Sequence, residues 1–343
     1  MSAMRVNEFM LDLSKKLREE KKVAESTANA YIRAMYILNG KEAFKNLNFL
    51  KNTTAIEDLV KKYADSTLKT IYASIVSVLS LFKEKPTYKK VYQHYHDLMM
   101  GKVEDAKQNE SSDKTKKQTD NWITWDEVQK KVAELREKVA EFKSNKNITS
   151  QQYESLLHYL IVSLYTETQP RRNQDYLDMF VAKKQPTETE HNYVVLTKTK
   201  PTSFVFNKFK TSKKYGQQTL EVPEALATVI SDYLKFHPHK KNATFKFLVS
   251  SDGTPITAVN AITRILNKVF GKRVGSSMLR HIFLTSKYGD VLEDQKADSL
   301  AMGHSIDEQR AYIRTDPKEN KGSGDATATQ EVTVPMMPTT PSA

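Results

Sequence analysis

Apolar positions recur at helical spacing through the first part of the chain. Tyr31, Ala34, Met35 and Leu38 share one face of a helix that Ser26 can cap and Asn39-Gly40 closes. A second helix is predicted over about 54–63. A third follows Asp65-Ser66, with Leu68, Ile71, Tyr72, Ile75, Val78, Leu79 and Phe82 on one stripe and Pro86 just beyond its end. Residues 1–100 therefore read as a small helical domain. Over 101–121 the apolar period lapses into a polar, charged stretch, which predicts a flexible linker. Order resumes at Trp122, where Thr124-Trp125-Asp126-Glu127 has the form of a capping box opening a helix through about Phe142. Leu156, Leu157, Leu160, Ile161 and Leu164 make the stripe of a buried helix that leads to Pro170-Arg171-Arg172.

The period then shortens. Asn192 to Thr197, Ser203 to Phe209 and Gln218 to Val222 carry β-branched and aromatic residues in short runs, which predicts three strands. The turn between the last two is Lys210 to Gly216. Helices return over Pro223 to Phe236, and again where Val259, Ile262, Ile265, Leu266, Val269 and Phe270 share a face. The fold expected is mainly α with a small three-stranded antiparallel sheet, in a second domain over 122–317. A tail over 318–343, rich in Gly, Pro, Ser and Thr, is expected to be disordered.

Composition narrows the chemistry. No run approaches the roughly 18 to 20 apolar residues of a membrane span, and Leu156 to Tyr165, the best stretch, is short and carries His158. The first residues lack a secretory pattern, so an unexported, intracellular protein with no membrane partner is expected. The absence of cysteine excludes disulfides, thiolate metal sites and a cysteine nucleophile. With 53 Lys and Arg against 41 Asp and Glu, the formal charge is +12. Such an excess favours a polyanion, and nucleic acid is the leading candidate. There is no P-loop, no G-x-G-x-x-G and no G-x-S-x-G. His94 and His96 stand two apart with no carboxylate cluster to complete a metal site, while His237 and His239 share a loop with lysines and read as a phosphate-facing surface.

Towards the end of the chain lie Ser277-Met278-Leu279-Arg280-His281, then Met302-Gly303-His304-Ser305, then Tyr312. Cleaving a phosphodiester without a metal takes a nucleophile, cations that stabilise the crowded phosphorane, and an acid for the leaving oxygen. The ordered series Arg172, Lys210, Arg280, His304 and Tyr312 offers that set, and it resembles the catalytic series of the tyrosine recombinases, in particular integrases of large DNA viruses and their mobile elements. The resemblance covers roughly 122–316. Arg172 matches the family's first arginine, with Asp175 three positions on, although the adjacent Arg171 leaves the register open by one. Lys210 stands where the family keeps a general-acid lysine on a hairpin, with Lys213 and Lys214 close by. Arg280 and His281 fit the pattern H-x-L-R-H, from which position 277 departs: Ser277 replaces a histidine and is placed to cap a helix beginning at Met278. His281 reads as a structural residue behind the site.

The resemblance implies a core-binding, SAM-like N-terminal domain joined to a catalytic domain, closing as a clamp on double-stranded DNA. It further implies a 3′-phosphotyrosyl intermediate on Tyr312, no cofactor or metal, and a homo-oligomer, four protomers on DNA. A viral member would act in the host nucleus or cytoplasm. Two other readings stay open: a type IB topoisomerase-like enzyme with related chemistry, and a catalytically inactive DNA-binding relative, for which Ser277 is the motive.

Overall fold

The computed structural model describes residues 4–108 and 113–313. The chain parts between Asp113 and Lys114 into two units, each with its own core. In the first, α1 (Glu8–Glu20) is capped by Asn7, whose Oδ1 accepts from Met10 N at 3.0 Å. Next come α2 (Glu25–Leu38), α3 (Thr53–Val60), α4 (Asp65–Leu79) and α5 (Pro86–Gln108). Ser26 is not the cap of α2. Ala24 holds the N-cap position and Ser26 lies inside the first turn, where its hydroxyl has no helix-start amide to meet. Met35 and Leu38 of the stripe expected on α2 are buried with Leu68, Ile75 and Leu79 of α4 and Met10 and Leu13 of α1. Ile32 joins them there, while Tyr31 and Ala34 are only partly buried. From α5, Tyr95 enters the same core, and its hydroxyl donates to the Leu50 carbonyl at 3.0 Å.

Most of the expected linker is helical. α5 runs to Gln108, and α6 (Lys116–Asn121) opens on a capping box between Thr115 and Gln118. Lys102 pairs with Asp65 at 2.8 Å and with Asp105 at 3.4 Å. A helix already nucleated continues at little cost through strong helix formers such as Lys, Glu and Ala, and so needs no apolar stripe.

The second unit is built around α8 (Ser150–Thr166), against which α7 (Trp125–Ala140) packs. The Thr124 capping box opens α7 as predicted, with Glu127 N donating to Thr124 Oγ1 at 3.2 Å. Leu156, Leu160, Ile161 and Leu164 of α8 are fully buried. Leu160→Ala is expected to destabilise this unit by about 2–5 kcal/mol in urea unfolding, because a closely packed site collapses poorly around the lost isobutyl group.

The sheet has five strands and is mixed, not three and antiparallel. After α9 (Asn173–Leu177) come β1 (Met179–Ala182), β2 (Asn192–Thr197), β3 (Lys200–Phe206), α10 (Ser212–Tyr215), β4 (Gln218–Glu221), α11 (Glu224–Phe236) and β5 (Thr244–Lys246). The strand order is β4-β3-β2-β1-β5, with β1 parallel to β2 and antiparallel to β5. β2, β3 and β4 correspond to the three expected strands, β3 being antiparallel to both neighbours and lying three residues earlier than the expected Ser203 to Phe209. The two added ones are only four and three residues long, too short to show an alternating pattern, and β1 follows α9 almost directly. α12 (Ala261–Phe270) ends at Gly271, whose φ of 65° suits glycine, and Val259 lies outside the helix and is exposed. α13 (Ser276–Met302) and α14 (Ile306–Tyr312) complete the described fold. The expected disordered tail lies outside the described residues.

Candidate functional site

Arg171 and Arg172 follow the buried helix α8 and open α9, with Arg172 in its N-cap position. That places two guanidinium groups where the chain turns into the sheet. Arg171 is the half-buried one and is fully engaged. Its Nε donates to Asp175 Oδ2 at 2.9 Å and its Nη1 to Gln218 Oε1 at 3.1 Å, while its guanidinium lies 3.8 Å from the centre of the Phe206 ring. Arg172 is exposed. Arg280, in the first turns of α13, donates from Nη1 to the Arg171 carbonyl at 3.1 Å. The three arginines and Asp175 line one open depression of about 310 Å³, closed on the other side by Phe209, Thr211, Tyr215 and Gln218.

Electrostatically this depression is cationic. Burial pulls the Arg280 pKa below its ordinary value and the facing charge of Arg172 pulls it further, while Tyr165 and Asp175 oppose them. The Asp175 carboxyl is raised by burial, against the pull of Arg171, Arg172 and Arg280. Three cations thus surround one buried carboxylate, a surplus that an anion entering the depression would relieve.

Lys210 is exposed in the turn after β3, between Phe209 and Thr211 of the depression's wall. Asn192 fixes that turn. Fully buried, it donates from Nδ2 to the Asp175 carbonyl at 2.9 Å and the Lys208 carbonyl at 2.8 Å, and its Oδ1 accepts from Asn207 N and Lys208 N. One side chain ties the lysine turn to the arginine helix. Asn173 does similar work beneath, accepting from the Tyr165 hydroxyl at 2.8 Å and donating to Thr263 Oγ1 at 2.9 Å. Sequence reading missed Asn192, Asn173, Gln218 and Tyr215. Only the burial of an asparagine at a strand start hints at such a role, and burial is not visible in the residue type.

His304 and Tyr312 form a second cluster. Gly303, at φ 75°, ends α13 in the left-handed conformation, and Ser305 Oγ accepts from Glu308 N at 3.2 Å to start α14. The imidazole and phenol rings then lie 5.7 Å apart at 34°. Tyr312 is 66% exposed, so its hydroxyl is open to a substrate. This pair is not brought to the arginines. α13 is one uninterrupted helix of 27 residues, roughly 40 Å long at about 1.5 Å per residue. Arg280 stands near its start and His304 just past its end. Leu279, Ile282 and Phe283 seat the first turns, and Trp125 meets Phe283 edge-on at 5.4 Å. From Leu284 onward the helix is mostly exposed, including Leu284, Tyr288, Val291 and Met302 on one face.

Three local expectations are corrected. Ser277 does not cap α13, which starts at Ser276 with Gly275 as N-cap, and Ser277 is exposed within the first turn. His281 is exposed on α13 rather than packed behind Arg280. His237 faces no phosphate: it is 1% exposed, its Nδ1 accepts from His239 N at 3.1 Å, and its ring lies tilted against Phe245, 4.7 Å between centres. Apolar neighbours, not charge, dictate its state, and burial pushes its pKa down to about 4, with His239 adding to the shift and the Phe247 and Lys246 backbone opposing it. A depressed histidine contributes stability that is present above the unfolded value near 6.5 and is lost as pH falls through about 4. The second unit is expected to lose about 3 kcal/mol across that window. His237→Asn should flatten the loss in urea titrations at stepped pH.

In the first unit, His94 Nε2 lies 2.8 Å from Glu57 Oε1. Among the described residues no group of His, Asp and Glu could hold a metal ion, and no helix is long and apolar enough to cross a membrane. No family model matches the chain, and no match is found among curated proteins or solved structures.

Proposed function

We propose that this protein cuts and rejoins duplex DNA as a site-specific recombinase or integrase of the tyrosine type. The observation that carries the reading is the cationic depression, where Arg172 and Arg280 flank Asp175 and the Lys210 turn forms the opposite wall. A phosphodiester seated there meets two planar forks for its non-bridging oxygens. Tyr312 releases its phenolic proton to solvent and its Oη attacks phosphorus in line, the Oη–P bond forming as the bond to O5′ breaks. Lys210 supplies the proton that O5′ takes up, and His304 donates a hydrogen bond to the phosphate. Rejoining is the reverse, with a 5′ hydroxyl of the partner strand displacing the phenol. Bond energy is kept in the ester, so the protein's own groups suffice.

The length of α13 sets a requirement on assembly. We place the Tyr312 of one protomer against the arginines of a second, with the exposed face of Leu284, Tyr288 and Val291 covered in the assembly; four protomers on two duplexes would pair every tyrosine. Mixing Arg280→Ala protein with Tyr312→Phe protein tests this. Recovery of cleavage in the mixture supports delivery between chains, and a dead mixture requires α13 to bend instead, Gly289 being its weakest point.

The overall reading is tested on supercoiled plasmid stopped with detergent. Protein covalently attached to 3′ ends, with free 5′ hydroxyls, is the expected product. Relaxation of any plasmid without recombinants would favour the type IB topoisomerase-like chemistry. The distance between the arginines and Tyr312, with serine at 277, favours a second reading, a DNA-binding relative without catalysis; strong binding with no covalent product would establish it.

A further inference from the structure

The sheet has two ends, and the arginines occupy only one. β1 starts just after α9 and finishes at Ala182, so Lys183 and Lys184 emerge at the opposite end. β5 pairs antiparallel with β1, Thr244 opposite Ala182, which brings the preceding loop with Lys240 and Lys241 to that same end. The last turn of α11 adds Lys235, and the segment after α7 adds Lys143.

These lysines touch in series. Lys183 Nζ donates to the Lys240 carbonyl at 2.8 Å, Lys240 Nζ to the Lys235 carbonyl, and Lys235 Nζ to the Lys143 carbonyl at 2.7 Å. Lys184 and Lys241 are exposed beside them. Carbonyl dipoles let the ammonium groups crowd together without cancelling their charge. Neutralising groups are few. Asp232 reaches Lys143 Nζ at 3.4 Å. The carboxylate of Asp252, in the turn that His239 contacts, accepts from Ser250 Oγ and Thr254 N. His237 adds no charge near neutral pH, since its pKa lies at about 4.

We propose that this lysine end of the sheet is a second polyanion-binding surface whose occupant is the backbone of a duplex other than the one at the arginine depression. A row of ammonium groups suits evenly spaced phosphates read without base contacts. Membrane anchoring would call for apolar side chains to insert beside the charges. Here the ring within the cluster, Phe236, is half-buried against the core with the Lys235 ammonium 4.9 Å from its centre, and Phe180 lies beneath Lys246 at 4.2 Å and against His191. With a cationic site at each end of the sheet, one protomer bridges two DNA segments. The proposal does not rest on the tyrosine chemistry, since bridging persists even if Tyr312 cleaves nothing.

The test uses the full chain on a bead-tethered duplex and measures capture of a second, fluorescent duplex of unrelated sequence. Replacing Lys183, Lys184, Lys240 and Lys241 together by Gln is expected to lower capture about ten-fold and to cut the slope of log capture against log salt by roughly 3 to 4. Protein retained on the tethered duplex should change less than about three-fold, because the arginine end is intact. The four matching Lys→Arg changes keep the charge and should keep capture. Unchanged capture by the Gln variant would overturn the proposal. So would loss of capture in the Arg variant, which would mean packing rather than charge, or a Gln variant that loses binding to phosphatidylserine vesicles but keeps duplex capture.

Discussion

Arg280→Ala is expected to lower DNA strand cleavage by about 10²–10³-fold, the usual cost of deleting one preorganised donor to a developing oxyanion. Arg172→Ala should fall in the same range. Both side chains line the depression, and neither belongs to the core: Arg172 is exposed, and Arg280 is half-buried, donating to the Arg171 carbonyl. DNA binding should weaken far less than cleavage, because phosphate contacts spread over a basic chain carry most of the affinity. Arg280→Lys keeps the charge and loses the planar fork, so it should recover only part of the rate. Single-turnover cleavage beside equilibrium binding separates the two effects. Equal losses in both would mean that the arginine grips DNA without aiding the transition state.

Asp175→Ala should cost about 3 kcal/mol of stability in the second unit, read from urea midpoints. Arg171, its partner, is packed over Phe206 and held by Gln218, so it cannot swing out to water when the carboxylate is removed. A half-buried guanidinium is then left without its counter-charge. Asp175→Asn keeps an acceptor for Arg171 Nε and should cost less. The pH dependence has a definite sign. A carboxyl raised by burial contributes stability present below the unfolded value near 3.8 and lost as pH climbs through its raised folded value. Above that point the natural protein should lose ground against Asp175→Asn. His237 works in the opposite direction, lowering stability as pH falls.

Much of the fold was legible because long elements announce themselves. The stripe of α8 and the box at Thr124 were read residue by residue, and β2, β3 and β4, which follow one another in sequence and pair with their neighbours, were found from their β-branched runs. β1 and β5 escaped because pairing, not pattern, makes them strands: four and three residues gain their ladder only once the chain is folded. The linker was misread for a related reason, since a polar helix shows no stripe. At the site, sequence order singled out both Arg172 and Arg280, and the fold sets them around one depression. It could not rank Arg171 against Arg172, because the difference is burial: Arg171 is spent on Asp175, Gln218 and Phe206, and Arg172 is left facing out. Nor could spacing reveal that α13 runs unbroken between Arg280 and His304. No glycine or proline signal short of Gly303 forces an end, and Gly289 is accommodated within the helix.

The proposed reaction turns on Tyr312 becoming joined to DNA. A duplex carrying a nick close to the cleavage point, which lets the short 5′ fragment diffuse away, makes the joined state accumulate. With the natural protein, a detergent-resistant adduct is expected in which residue 312 is esterified to a 3′ phosphate. Tyr312→Phe, equal in DNA binding, should give none. Adducts of equal yield from both proteins would exclude Tyr312 as the nucleophile, and an adduct through the 5′ end would exclude the 3′-phosphotyrosyl step.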